Sequence, residues 1–268
     1  MTDHPAILIF GCGNMGGAML TGWLAAQVPA SFTVVDPVVT ELPASVRLLR
    51  EVPAERFDVV LLGVKPQTLN EAASALVPAM TGDTLLLSLL AGAELASLAA
   101  RFPVNGGIVR VMPNLAAAIR KSPIGLYAAD LSETARAAVT ALLAPLGPPE
   151  WLAQEDQLDA VTALAGSGPA FVYRFIQALA EGGAALGLGP EQAQRLALTM
   201  VEGASALAAA AGEPPAELAR RVTSAGGTTA AGLAVLDREA VLARLVADTL
   251  RAARDRGAEL AAAARGSN

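Results

Sequence analysis

A single cysteine and a single histidine among 268 residues remove several chemistries at the outset. Cys12 alone cannot close an intramolecular disulfide, which fits a reducing compartment. His4, near the N-terminus, cannot by itself supply a histidine metal site or a His-based triad. Aromatic residues reach only 4%, charged residues only 16%, and the net charge is −6, so no basic stripe is available for nucleic-acid phosphates. No apolar run approaches the ~20 residues that span a bilayer. The N-terminus lacks a basic segment followed by an apolar stretch and a cleavage site. The expectation is a soluble, cytoplasmic protein with neither nucleic acid nor membrane as partner. What is plentiful is apolar: 53% of residues are hydrophobic, with alanine heavily used. The length suffices for one large or two modest compact, helix-rich domains.

The stretch around which the chain is organised is Ala6 to Leu20, AILIFGCGNMGGAML. Ile7, Leu8, Ile9 and Phe10 run straight into Gly11-Cys-Gly13-Asn14-Met15-Gly16, and a helical Ala/Leu pattern follows. Buried strand, tight glycine turn and helix start are the order a dinucleotide site requires. Gly11 permits the turn, Gly13 admits a pyrophosphate close to the backbone, and Gly16 lets the helix pack on its strand. First-turn N–H groups and the positive end of the helix dipole then face the phosphates. Glycines also serve ordinary strand-to-helix turns, so this loop alone does not decide.

Ser31 to Asp36 reads as a second strand ending in an acid, about twenty residues beyond Gly16, where a carboxylate can take the adenosine ribose hydroxyls. A 2′-phosphate would meet a like charge there, and the next basic residue is Arg47, so Asp36 by itself favours NADH. The bland alternative is that Asp36-Pro37 is merely a polar turn. Asp58 to Pro66 contains a third, continuously apolar strand ending at Val64-Lys65-Pro66, which should line the ligand crevice at the carboxyl ends of the strands. A solvated surface role for Lys65 is the commoner alternative. Further strands are read at Thr84–Ser88, Gly107–Val111 and Ile124–Ala128, a helix at Ser132–Ala144, and a closing segment at Pro148–Leu152. Met112-Pro113-Asn114 follows the fifth of these strands, placing a polar side chain where a nicotinamide carboxamide or a substrate would sit. Alternating strands and helices predict a doubly wound parallel α/β sheet.

Beyond Ala153 the β-branched runs disappear and helical spacing takes over, giving domains of 1–153 and 154–268. The helical half begins with Asp156–Gly187, interrupted at Gly166-Ser-Gly-Pro169, where the chain should kink or restart. Helices to about Ala211, from Pro214-Pro215, and from about Asp237 onward complete it. Its apolar content exceeds what one copy could cover, so a homodimer through these helices is expected. Val222-Thr-Ser224-Ala-Gly226-Gly227-Thr228-Thr229 combines two glycines with hydroxyls ahead of a helix. Backbone N–H groups, a helix N-terminus and short side-chain donors would hold a small carboxylate without a charged residue. A plain Ser/Thr helix cap with flexible glycines is the bland alternative.

Gly11–Gly16, Val64-Lys-Pro66, Arg110-Val-Met-Pro-Asn114, Ala165-Gly-Ser-Gly-Pro-Ala170 and Val222–Thr229 occur in an order and spacing that resembles the pyrroline-5-carboxylate reductases. The resemblance covers nearly the whole chain, and its last motif is far more specific than the glycine loop. It implies an N-terminal Rossmann-type domain followed by an all-helical dimerisation domain, with dimers that can assemble further. It also implies reduction of 1-pyrroline-5-carboxylate to L-proline by NAD(P)H, with NADPH used by many relatives. Carried over, Ser224 and the N–H groups of Gly226 and Gly227 would bind the substrate carboxylate beside Thr228. Thr229 would hydrogen-bond the ring nitrogen, and Met112 and Asn114 would border the nicotinamide. Gly11, Gly13, Asn14, Met15, Gly16, Asp36, Val64, Lys65 and Pro66 would hold the rest of the coenzyme, and no metal is implied.

Three positions depart from the family pattern: Leu115-Ala116 stand for Thr-Pro, Ala225 for Pro, and Ala165 for Ser. None removes a donor from the substrate loop. A β-hydroxyacid dehydrogenase would need a lysine on the first long helix of the second domain, and Asp156–Gly187 contains none. A non-catalytic dinucleotide sensor would have no reason to keep the hydroxyl-lined cradle.

Overall fold

The computed structural model describes residues 4–265, the side chains at 260, 261 and 263–265 excepted. Backbone contacts divide the chain into two compact units, one of residues 1–166 with 253–268 and one of 167–252.

The first unit is built on an eight-stranded sheet in the order β3-β2-β1-β4-β5-β6-β7-β8. Its strands are β1 (Ala6–Phe10), β2 (Ser31–Val35), β3 (Val46–Leu49), β4 (Val59–Leu62), β5 (Leu85–Ser88), β6 (Gly107–Met112), β7 (Ile124–Tyr127) and β8 (Pro149–Trp151). The first six pair in parallel, and the order reverses direction between β1 and β4. That reversal is the topological switch point at which open α/β sheets bind ligands. Helices α1 (Asn14–Ala25), α2 (Leu69–Leu76), α3 (Leu95–Arg101) and α4 (Glu133–Leu143) connect the strands.

The sheet carries an apolar core on each face, because β1, β4 and β5 are wholly or almost wholly buried and offer side chains both ways. One core gathers Ile7, Ile9, Met19, Trp23 and Leu143; the other gathers Leu8, Val60, Leu76, Leu98 and Phe102. Trp23 stacks on Phe32 at 5.6 Å and donates its indole N–H to the Leu142 carbonyl at 2.8 Å, fixing α1 between β2 and α4. A side chain at Gly22 would collide with the Ala117 carbonyl, so α1 lies unusually close to the 3-10 turn Leu115–Ile119.

Two features differ from the sequence expectation. β3 was not anticipated: it has four residues, includes the charged Arg47, and forms the sheet edge, where short charged strands are the rule. The strand read as third is therefore β4. The sheet is also not parallel throughout, since β7 runs antiparallel to β6 and β8 parallel to β7. The link between β6 and β7 holds only a 3-10 turn ending at Arg120 in the left-handed region (φ 63°). It is too short for a crossover helix, so the chain comes back antiparallel.

In the neighbourhood of the interruption read at Gly166–Pro169, α5 (Gln157–Val161) passes into a π-helical turn, Thr162–Gly166. Helix α6 (Gly168–Ala185) then starts with Pro169 in its first turn. The second unit contains α6, α7 (Pro190–Ala211), α8 (Pro215–Arg221), α9 (Thr228–Leu236) and the start of α10 (Val241–Arg265). Helices α6 and α7 pack as a hairpin, with Gly183 3.5 Å from the Ala193 methyl in the sense of an added Cβ. Only Ala193 and Ala197 are buried along these two helices, whereas Val172, Tyr173, Phe175, Leu196, Leu198 and Met200 are exposed.

Candidate active site

At the switch point, the ends of β1 and β4 approach backbone to backbone. Gly11 has φ +87°, a conformation that disfavours any side chain, and a Cβ there would lie 2.9 Å from the Gly63 carbonyl carbon. Gly16 is packed as tightly, since its Cβ would fall 2.6 Å from the Gly11 carbonyl oxygen. Gly13, in contrast, faces open space and is exposed. Gly11 and Gly16 thus sit where a side chain would collide, and Gly13 leaves the approach to the turn free. Gly13 caps α1 without a side-chain hydrogen bond, and no acid occupies the first turn of α1, beginning Asn14-Met15-Gly16. The helix N-terminus keeps its positive character for an anion. This cradle fits a nicotinamide dinucleotide.

Cys12 is buried inside the turn. Burial, and after it the Asp36 carboxylate, push the thiol up to about 11. It is a small space-filler and no nucleophile, because only the thiolate attacks. At pH 8 roughly one molecule in a thousand would carry the thiolate. Labelling by an aromatic disulfide reagent should be at least a hundredfold slower in the folded than in the denatured protein.

Asp36 is buried and its carboxylate is held from three sides. Oδ2 accepts from the Cys12 N–H at 2.7 Å, and Oδ1 from the N–H groups of Val38 and Val39 at 2.8 and 3.0 Å. Burial works to raise its pKa, but the Val39, Val38 and Cys12 hydrogen bonds and the Arg50 charge outweigh that, and the carboxyl sits below its ordinary value. A carboxylate lowered in this way stabilises the fold above the ordinary carboxylate pKa near 4, and the contribution is lost as pH falls through the lower native value. Asp36→Asn should therefore melt earlier than wild type at pH 7, with the gap closing on acidification below about pH 4. A gap independent of pH would contradict this role.

Val64 and Pro66 are half-buried just beyond β4, and Lys65 between them is exposed, with no ion pair among the described residues. Pro66 opens a 3-10 turn that leads into α2. At the end of β6, Met112 is half-buried and Asn114 is buried. The Asn114 carboxamide is already engaged: Nδ2 donates to the Ala165 carbonyl at 2.9 Å and Oδ1 accepts from the Ala116 N–H at 2.9 Å. Its backbone N–H donates to Ser122 Oγ at 2.8 Å. Asn114 therefore ties the β6 end to the π-helical turn. Buried Arg110, two residues before Met112, pairs with Glu155 Oε1 at 2.8 Å, and that oxygen also accepts the Leu95 N–H at 2.7 Å.

In the second unit, the loop after α8 turns through Gly226 (φ +71°) into α9. The Gly227 N–H donates to the Ser224 carbonyl at 3.1 Å, and Gly227 caps α9 without any side-chain bond. Ser224, Thr228 and Thr229 are exposed, and their hydroxyls have no hydrogen-bond partner among the described residues. This is not the geometry of a Ser/Thr cap, whose hydroxyl would be bound to the helix N–H groups. Three hydroxyls and open first-turn N–H groups are left as donors for a small anion.

Sequence reasoning passed over Gly63, Arg50 and Ser122. The first meets Gly11 only through the sheet, and the other two reach their partners across a loop.

A family model described as pyrroline-5-carboxylate reductase dimerisation matches residues 155–260, and one described as NADP oxidoreductase, coenzyme F420-dependent, matches residues 6–92. The pyrroline-5-carboxylate reductase of Pseudomonas aeruginosa is 39% identical over 96% of this chain and 97% of its own. Pyrroline-5-carboxylate reductase 2 of Bacillus subtilis is 37% identical over 84% of each. The solved structure of the Coxiella burnetii pyrroline-5-carboxylate reductase superposes with a TM-score of 0.86 at 29% identity, over 96% of this chain and 98% of that one. With the glycine cradle at the switch point, the hydroxyl-lined loop before α9 and full-length identity approaching 40%, the chain belongs to the pyrroline-5-carboxylate reductases, nicotinamide-dependent oxidoreductases of the last step of proline biosynthesis.

Proposed function

We propose that residues 1–153 hold the coenzyme, that residues 154–268 hold the substrate and a second copy of the chain, and that Ser224–Thr229 is where 1-pyrroline-5-carboxylate binds. The observation that carries this reading is the uncommitted state of the Ser224, Thr228 and Thr229 hydroxyls around a left-handed Gly226. A ring carboxylate would be taken by Ser224 and the N–H groups of Gly226 and Gly227, with Thr228 beside it, the Gly227 N–H sharing or giving up its bond to the Ser224 carbonyl. Thr229 Oγ would hydrogen-bond the ring nitrogen. The cyclic imine takes up a proton from solvent, so no buried strong acid is needed. Bound NAD(P)H supplies the hydride, which goes to the ring carbon double-bonded to nitrogen, while the C=N π pair becomes the nitrogen lone pair. Catalysis is then chiefly a matter of orientation, which suits a chain whose single histidine, His4, belongs to none of these motifs.

On the coenzyme side, Gly11, Gly13, Asn14, Met15 and Gly16 would cradle the pyrophosphate. Asp36 would lie against the adenosine ribose, Val64, Lys65 and Pro66 would line the crevice, and Met112 and Asn114 would border the nicotinamide. Asn114 would do so by holding the chain there, since its amide is engaged with Ala116 and Ala165. Asp36 favours NADH, and the family resemblance brings NADPH into use. The exposed apolar side chains of α6 and α7 support a homodimer through the helical half.

The test is oxidation of NADH and of NADPH by the purified protein with 1-pyrroline-5-carboxylate, and with the six-membered piperideine acid for comparison. The five-membered substrate should turn over preferentially. No turnover with either coenzyme would refute the reading.

A further inference from the structure

Asp36 alone argues against a 2′-phosphate, but two facts about its surroundings alter that argument. Its carboxylate is directed to the loop backbone, where three N–H donors hold it. A guanidinium then stands over the same turn. Arg50, just past β3, directs Nη1 onto the carbonyl oxygens of Asp36 and of Val39, the latter at 2.8 Å. Arg50 is exposed, forms no close ion pair among the described residues although its charge reaches the Asp36 carboxylate, and has Nε and Nη2 without hydrogen-bond partners there. Arg47, the basic residue nearer in sequence, is instead neutralised by Glu55, with both carboxylate oxygens 2.8 Å from one nitrogen.

Arg50 lines a cavity of about 300 Å³ beyond β1 and β2, together with Gly11, Val35, Pro37, Val52 and Val64. The apolar side chains offer a seat for a flat base next to the glycine turn, and Arg50 supplies the single cation at its rim. Two carbonyl anchors hold the guanidinium in place before any ligand arrives, so a phosphate meets a preorganised fork. Glu51, exposed on the same cavity, opposes that charge, as does the Asp36 carboxylate on which Arg50 acts.

We propose that Arg50 is the coenzyme-selecting residue of this chain, receiving the 2′-phosphate of NADPH so that a site with an acid at the end of β2 accepts both coenzymes. The proposal rests on the reading that this cavity takes the adenosine end of the coenzyme. It needs no basic residue directly after Asp36, where the sequence has Pro37-Val38-Val39.

The experiment compares kcat/KM for NADPH and for NADH in wild type, Arg50→Gln, Arg50→Lys and Glu51→Gln, with 2′,5′-ADP and 5′-AMP as competing ligands. Arg50→Gln should lower kcat/KM for NADPH about tenfold to a hundredfold, through KM, as expected for loss of a charge-assisted pair. NADH should change by less than about threefold, because a neutral ribose hydroxyl does not need the cation. Inhibition by 2′,5′-ADP should weaken in parallel while that by 5′-AMP holds, Arg50→Lys should fall between, and Glu51→Gln should improve NADPH. An equal loss for both coenzymes would make Arg50 a brace for the Asp36 turn and overturn the assignment, as would unchanged kinetics with NADPH. Failure of 5′-AMP and NADH to bind the wild type would instead remove the coenzyme site itself.

Discussion

Thr229→Ala should lower kcat with 1-pyrroline-5-carboxylate about a hundredfold or more and leave the fold intact. The size follows from losing a hydroxyl oxygen placed to accept the N–H of the protonated ring nitrogen, where single positioned groups commonly contribute 10²–10⁴ in rate. The fold should survive because Thr229 is exposed in the first turn of α9 and its hydroxyl bonds to nothing among the described residues. Alanine is also a better helix former than threonine by a few tenths of a kcal/mol. Thr229→Ser, which keeps the hydroxyl, should recover most of the activity. Steady-state kinetics beside a thermal melt separates the two effects. Unchanged kcat in the alanine variant would refute the role given to Thr229.

Glu155→Ala should destabilise the first unit by about 3 kcal/mol, the usual scale when one partner of a buried pair is removed. Arg110 is only 6% exposed at its side chain and Glu155 28%, so the guanidinium would be left in the interior without its counter-charge. The same carboxylate oxygen accepts the first N–H of α3, at Leu95, so two donors lose their acceptor at once. For a chain of this size that corresponds to a melting point lower by roughly 6–12 °C. Adding Arg110→Met should recover part of the loss, since an apolar replacement no longer needs a partner in the interior. If the double variant melted no higher than Glu155→Ala, the charge argument would fail and packing alone would account for the loss. Because Arg110 lies two residues before Met112, the single variant should also raise KM for coenzyme.

The parts of the fold that were legible are those carried by continuous local patterns. β1 and the glycine turn announce themselves as four apolar residues running into Gly11, β4 is an unbroken apolar stretch with Gly63 beyond, and β5 is three leucines closed by Ser88. The hydroxyl loop before α9 was legible because its residues are consecutive. What could not be read depends on contacts between distant positions. β3 is four residues at an edge with an arginine in it, and only its pairing with β2 makes it a strand. The reversal at β7 follows from how little chain separates it from β6. The helix restarts at Gly168–Pro169 as the sequence indicates, but the π-helical turn at Thr162–Gly166 before it is not legible there, and its Ala165 carbonyl finds Asn114 fifty-one residues away. Asn114 and Asp36 stand out in the sequence as polar groups just past strands, yet their partners lie in loops that the linear pattern does not join. Arg50 was passed over for the same reason: it is fourteen residues from the carbonyl it holds.

The most direct measurement is a crystal structure of the protein with L-proline and oxidised coenzyme bound together. The account predicts the proline carboxylate on Ser224, Gly226 and Gly227, the ring nitrogen at Thr229, and proline Cδ, the former imine carbon, about 3–3.5 Å from C4 of the nicotinamide. Proline bound elsewhere, or far from the nicotinamide face, would contradict it.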